Sequence, residues 1–221
     1  MDSAAWFSLR LSLQVAFLAT AMIVLVGVAL AYLLAMQNFR GKELLDMFLT
    51  LPLVLPPTVT GYFLVIILGR RGSLGRPLYE LTGWSVMFTW QAAVIASFVV
   101  ALPLMIKTAR AALESVDRNL INASYTLGHS KGETALRVIL PLAKRGIIAG
   151  AVLSFARAMG EFGATLMLAG NIPGRTDTMP IAIYSMASSG EWSRSGAMVI
   201  FFTAVSGTFL YVANLYSRRT I

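Results

Sequence analysis

The sequence contains no cysteine and a single histidine, His129. Without thiols there are no disulfides and no thiolate metal sites, and the redox compartment is left unread. With one histidine and no cysteine a metal centre is not expected, and no nucleophile–base constellation can be assembled around His129. Neither catalytic nor metal-binding residues are therefore expected. No G-x-x-x-x-G-K-[ST] phosphate loop occurs, so ATP hydrolysis by this chain is not expected either. Charge is also scarce. Only 13% of the 221 residues are Asp, Glu, Lys or Arg, against about a quarter in a soluble domain.

What replaces charge is apolar surface: 57% of residues are hydrophobic and the mean hydropathy is +0.73. The composition is that of an all-α integral membrane protein, read as one domain over 1–221 with its core at about 11–216. Five spans are expected at about 11–36, 48–69, 86–106, 147–169 and 196–216, each near the roughly 20 residues that cross a bilayer. No cleavable signal peptide is expected, because the first apolar run is too long and lacks a small-residue cleavage site. The net charge of +8 would suggest nucleic acid in a soluble chain. In a membrane chain it marks basic loops that fix orientation and meet lipid headgroups, so no nucleic-acid partner is expected.

The one long polar block lies at 107–146, with Lys107, Arg110, Arg118, Lys131, Arg137, Lys144 and Arg145 opposed by Glu114, Asp117 and Glu133. Hydrocarbon excludes such a segment, and its positive excess assigns it to the cytoplasm. Alternation of the spans then puts the N-terminus outside and the C-terminus inside, anchored by Arg218 and Arg219. Eleven cations fall inside and six outside. The cluster Arg70-Arg71-Gly-Ser-Leu-Gly-Arg76 runs against this bias. Within the block the pattern predicts a short helix, a glycine stop at Gly128, a second amphipathic turn, and Pro141 opening the next helix.

Two spans carry unusual residues. The second contains Leu51-Pro-Leu-Val-Leu-Pro56-Pro57-Thr58-Val-Thr60-Gly61. Consecutive prolines cannot sit in an unbroken helix, and a broken helix at membrane depth belongs inside protein or beside a polar cavity. Pro56, Pro57, Thr58 and Thr60 are candidate pathway residues; a proline-kinked packing helix is the alternative. In the fourth span Gly146, Gly150, Ser154 and Ala158 recur every four residues, a stripe for close helix contact. Arg157 and Glu161 share a face there, and an isolated charge at that depth is costly, so the two should pair. They either flank the pathway or lock the bundle. Gly160, Gly163 and Thr165 follow as a candidate gate. The first span, with Gly27, Ala29 and Ala31 available for contacts, reads as a lipid-facing peripheral helix. Trp84 and Trp90 read as an outer aromatic belt.

The stretch Asn122-Ala123-Ser124, three residues, Gly128, nine residues, Val138-Ile-Leu140-Pro141 resembles the cytoplasmic coupling loop of ABC-importer permeases, Glu-Ala-Ala-x3-Gly-x9-Ile-x-Leu-Pro. Asn122 and Ser124 depart from it at the Glu and the second Ala, and Val138 stands for Ile. Leu-Pro-Pro-Thr-Val-Thr-Gly61 and the run from Gly160 to Tyr184 resemble the molybdate, tungstate and sulfate permeases of that family. The resemblance implies a type I permease fold in the cytoplasmic (inner) membrane, working as a homodimer. It implies coupling to cytoplasmic ATPase subunits through Asn122, Ala123, Ser124, Leu127, Gly128, Val138, Leu140 and Pro141. It implies docking of an extracytoplasmic oxyanion-binding protein at Asn171, Pro173, Gly174 and Arg175; a plain surface loop is the alternative. No cofactor would be bound by this chain, ATP-Mg residing on the ATPase. Sulfate permeases of the family are usually longer, which favours molybdate or tungstate. A membrane-embedded enzyme at Arg157 and Glu161, or a passive anion channel, are the readings from other classes.

Overall fold

The computed structural model describes residues 3–219, without the side chains of Asn214 and 216–219. The expected Arg218–Arg219 anchor lies outside the described side chains. All regular structure among the described residues is helical. The order is α1 (Ser3–Met36), α2 (Lys42–Val54), α3 (Pro57–Leu68), α4 (Gly75–Thr82), α5 (Trp90–Glu114), α6 (Arg118–Thr126), α7 (Lys131–Thr134), a π-helical turn (Ala135–Ile139), α8 (Leu140–Met159), α9 (Gly163–Ala169), α10 (Met179–Ser188) and α11 (Trp192–Arg219).

Helix α5 is the axis of the bundle, with α1 and α8 packed along it. It is apolar nearly all round and buries thirteen residues from Ala92 to Leu113, the pattern of a fully enclosed helix. Small residues set the spacing. A β-carbon on Gly27 of α1 would lie 2.8 Å from Met105 Cγ, and one on Gly150 of α8 would lie 2.8 Å from Met105 Sδ. Met105 thus fills the seam where three helices meet. Ser154 Oγ donates to the Ala101 carbonyl at 3.5 Å, and a β-carbon on Gly146 would overlap that of Ala112. The every-fourth-residue stripe of α8 is therefore its contact with α5. Gly146→Ala, which on a free helix face would stabilise by about 1 kcal/mol, is expected here to destabilise by roughly 1–2 kcal/mol. A thermal midpoint that rises instead would refute this packing.

Three expectations change. Helix α1 is not peripheral: one face, from Ala5 through Ala16, Ala19, Ile23, Gly27, Ala31 and Leu34, is core. Its opposite face, with Phe17, Met22 and Leu25, is exposed, and Ala29 points outward with it. Both faces of this helix are apolar, so hydrophobicity alone could not separate core from lipid.

The second span is two helices bent by 118°. Leu55 and Pro56 are both extended (ψ 143° and 137°), because each precedes a proline whose ring excludes helical backbone there. At 13 and 12 residues, neither half alone reaches across about 30 Å of hydrocarbon.

The fourth span is displaced. A continuous helical stretch runs from Lys131 to Met159, and 160–169 is a separate short element. Pro141 stands in the first turn of α8, as expected, but no break precedes it. The π turn just before it, in which the Leu140 N–H reaches the Ala135 carbonyl, widens the ladder and so accommodates the proline ring without breaking the chain.

Candidate functional site

The breaks in the two proline- and glycine-bearing spans meet in space. Helix α3 packs chiefly on α9. Contact is close enough that a β-carbon on Gly163 would lie 3.0 Å from Pro57 Cβ and 3.1 Å from the Thr58 nitrogen, and one on Gly61 would lie 2.8 Å from Ala164 Cα. The glycines of both helices are there because backbone faces backbone. Around this junction Thr60 and Thr165 are buried, and neither hydroxyl has a hydrogen-bond partner among the described residues. Thr58 is exposed at the start of α3, beside exposed Pro56 and half-buried Pro57. Pro56, Pro57, Thr58, Thr60, Gly163 and Thr165, a hundred residues apart in sequence, thus form one locus.

Glu161 sits in the three-residue gap between α8 and α9, only 2% exposed. Its Oε1 accepts from the Ala164 N–H at 2.8 Å, which satisfies one of the donors left open at the start of α9. Its Oε2 lies 2.8 Å from Arg157 Nη1, held by charge proximity rather than by an aligned hydrogen bond. The Arg157 side chain remains 30% exposed. The pair therefore forms as expected, with an asymmetry: the acid is built into the break, while the guanidinium keeps one side open. Gly160 is exposed where α8 ends.

At the polar end of the bundle, Asp117 caps α6 by accepting from the Asn119 N–H at 2.8 Å. The helix stops at Gly128, φ +87°. There the Gly128 N–H returns to the Tyr125 carbonyl and the His129 N–H to the Ser124 carbonyl, a Schellman closure that a left-handed glycine permits. Ser130 and Glu133 then form a capping box that starts α7. Bonding between Ser130 and Glu133 holds the Glu133 carboxyl below its ordinary range, aided by Arg137 and His129. Ser124, buried between the two short helices, lies 2.9 Å from Thr134 Oγ1 and 3.2 Å from His129 Nδ1. Asn122, Ala123, Leu127 and Pro141 are exposed, Leu127 by 78%; Val138 and Leu140 are half-buried at the π turn.

At the other end, Asn171, Pro173, Gly174 and Arg175 form the exposed crest of the 170–178 loop. Thr176 is buried beneath it, accepting from the Ile172 N–H at 3.0 Å and donating to the Gly170 carbonyl at 3.3 Å. The loop is pinned to α1: Ser8 Oγ donates to Asp177 at 3.2 Å, and the Met179 N–H donates to Ser12 Oγ at 2.8 Å. Burial pushes the Asp177 carboxyl above its ordinary range, and the Ser8 hydrogen bond pulls the other way.

Residues 7–221 match the family described as "Binding-protein-dependent transport system inner membrane component". The chain belongs to that family. This inner membrane component is 42% identical over 214 residues to the molybdenum transport system permease protein ModB of Escherichia coli K12, covering 96% of this chain and 93% of that protein. It is 40% identical to ModB of Haemophilus influenzae, over 96% of this chain and 93% of that one. It is also 40% identical to the putative molybdenum permease YvgM of Bacillus subtilis, over 95% and 92%. Its fold is that of ABC-transporter chains. A bacterial importer of the polysaccharide alginate superposes with a TM-score of 0.82 at 16% identity, over 99% of this chain and 80% of that one. The MetNI methionine transporter superposes at 0.74 and 16%, over all of both chains.

Some positions of this inner membrane component escape a reading of its sequence. Asp46 ties α2 to α5 by ion pairs, whereas in the sequence it is one of two acids, with Glu43, just after Arg40 and Lys42. Phe88 has a positive φ of 62°, its N–H bonded to the Leu168 carbonyl and its ring lying over Gly170. It locks the loop before α5 onto the end of α9, and no local motif announces it.

Proposed function

We propose that the chain is the permease subunit of an ATP-driven importer carrying molybdate or tungstate across the cytoplasmic membrane. The observation that carries the substrate class is the ModB similarity, which runs over nearly the whole of both chains. The locus of α3 and α9 is the pathway and gate: exposed Thr58 and the half-open Arg157 offer a donor and positive charge to a tetrahedral dianion, with the buried, unpartnered hydroxyls of Thr60 and Thr165 behind them. Glu161 holds the break in place and tempers Arg157, so the anion is attracted without being trapped. Helices α6 and α7 couple to a separate ATPase, in keeping with the exposed Leu127 and the rigid double cap around Gly128. ATP-Mg belongs to that subunit. The crest at 171–175 lies outside and receives an oxyanion-binding protein, its backbone braced by Thr176 and Asp177.

Two copies would share the path on their two-fold axis, consistent with the exposed apolar faces of α2 and α3 (Leu51, Val54, Val59, Tyr62, Phe63). The orientation follows from the basic block around α6: N-terminus outside, C-terminus inside. The test is uptake of labelled molybdate into liposomes holding the chain, its ATPase and its binding protein. Uptake is expected only with ATP and binding protein, and excess sulfate should leave it nearly unchanged. Competition by sulfate would move the chain to the sulfate branch, and flux without ATP would make it a passive anion channel.

A further inference from the structure

Within one chain, helix α2 is weakly held. None of its thirteen residues is buried, and α5 is the one helix with which it packs extensively. Leu45 and Leu49 supply apolar contacts to the core. The remaining attachment is ionic. The Asp46 carboxylate, 17% exposed, accepts from Lys107 Nζ at 3.0 Å through both oxygens and from Arg110 Nη1 at 3.1 Å. Lys107 and Arg110 are three apart on α5, hence on one face. Arg110 is itself oriented by Glu114, whose Oε1 accepts from its Nε at 2.7 Å. One acid therefore clamps two cations in the last two turns of α5, before it passes through 115–117 into α6.

The same helix leads at its other end, across the 118° bend, into Pro57, Thr58 and Thr60. We infer that Asp46 is a positioning residue. Its ion pairs with Lys107 and Arg110 make α2 follow the cytoplasmic end of α5, so that displacement of α6 is carried to the break at Pro56–Pro57. The inference rests on α6 as the ATPase-facing helix and on α3 as pathway, and it adds the mechanical link between them. The geometry suits a link rather than a purely structural tie. A lone ion pair exposed to solvent contributes little to stability, whereas two cations held by one carboxylate fix the direction in which a poorly packed helix moves. Apolar contacts alone would let α2 slide along α5 between Leu45 and Leu49.

The experiment reads two quantities on the full chain and three variants. Asp46→Asn and the pair Lys107→Gln with Arg110→Gln remove the clamp from either side; Asp46→Glu keeps a carboxylate. In lipid nanodiscs, amide exchange of segment 42–49 should quicken about tenfold in the first two and stay near wild type in Asp46→Glu, with α8 unchanged in all. In liposomes with ATPase and binding protein, the molecules taken up per ATP hydrolysed should fall several-fold in the first two, with hydrolysis itself retained and Asp46→Glu close to wild type. Unchanged exchange in 42–49 overturns the clamp. Quickened exchange with an unchanged uptake-to-hydrolysis ratio overturns its role as a link. If the unaltered chain shows no ATP-dependent uptake, the transport reading fails, and the exchange data still decide whether Asp46 holds α2.

Discussion

Arg157→Ala is expected to lower the thermal unfolding midpoint of the purified protein by roughly 6–12 °C, corresponding to about 3 kcal/mol in a chain of this size. The reason is the carboxylate it would strand. Glu161 is 2% exposed, and it keeps only the Ala164 N–H once the guanidinium is gone. Removing one member of a buried pair leaves an uncompensated charge, which costs more than the pair contributed. Because Arg157 is partly open, water enters and the loss falls at the low end of the range for such pairs. Glu161→Gln should cost much less, about 1 kcal/mol, since the amide oxygen can still accept from Ala164 and the freed guanidinium can turn to water. Arg157→Ala combined with Glu161→Gln should recover most of the loss. Equal small effects from Arg157→Ala and Glu161→Gln would show that Arg157 is not what compensates the buried Glu161 carboxylate.

The second large effect belongs to the glycine between α6 and α7. Gly128→Val is expected to cut ATP-driven uptake at least about tenfold while the chain still folds and inserts. Space is not the obstacle, because nothing lies within 4 Å of a β-carbon there. The obstacle is φ +87°, which a β-branched residue resists by more than the roughly 1–2 kcal/mol of an ordinary side chain. Relief of that strain undoes the Schellman closure and with it the contact of Ser124 with His129 and Thr134. Helix α6 then loses its fixed angle to α7 and transmits less. Gly128→Asn, which tolerates left-handed backbone, should retain most uptake. Valine and asparagine variants of equal activity would separate the turn from coupling.

Much of this was legible along the chain. Scarce charge and long apolar runs define a helical membrane protein, since hydrocarbon tolerates little else. Gly128 announces the boundary between the two short helices, because a glycine stop is local chemistry. Pro56 and Pro57 announce a break, because a proline restricts its own residue and the one before it. The small-residue stripe of α8 follows from helical spacing, and the pairing of Arg157 with Glu161 from the cost of an isolated charge at that depth. These are properties of a few consecutive residues, and the sequence by itself determined them.

Other features depended on distance in the fold. How far the second span bends, that Gly61 and Gly163 bring α3 against α9, and which face of an all-apolar α1 is core were decided only by tertiary packing. In a membrane chain both core and lipid-facing sides are hydrophobic, so periodicity carries no signal for them. Pro141 marked the start of α8 but hid its continuity with the turns before it. A proline in a helix is read as a boundary, yet a π turn before it absorbed the missing donor and let Lys131–Met159 run on. Asp46 was silent because an acid's meaning lies in the cations opposite it, and Lys107 and Arg110 are more than sixty residues away. Contacts across that separation are fixed by helix packing, not by any pattern near the residue itself.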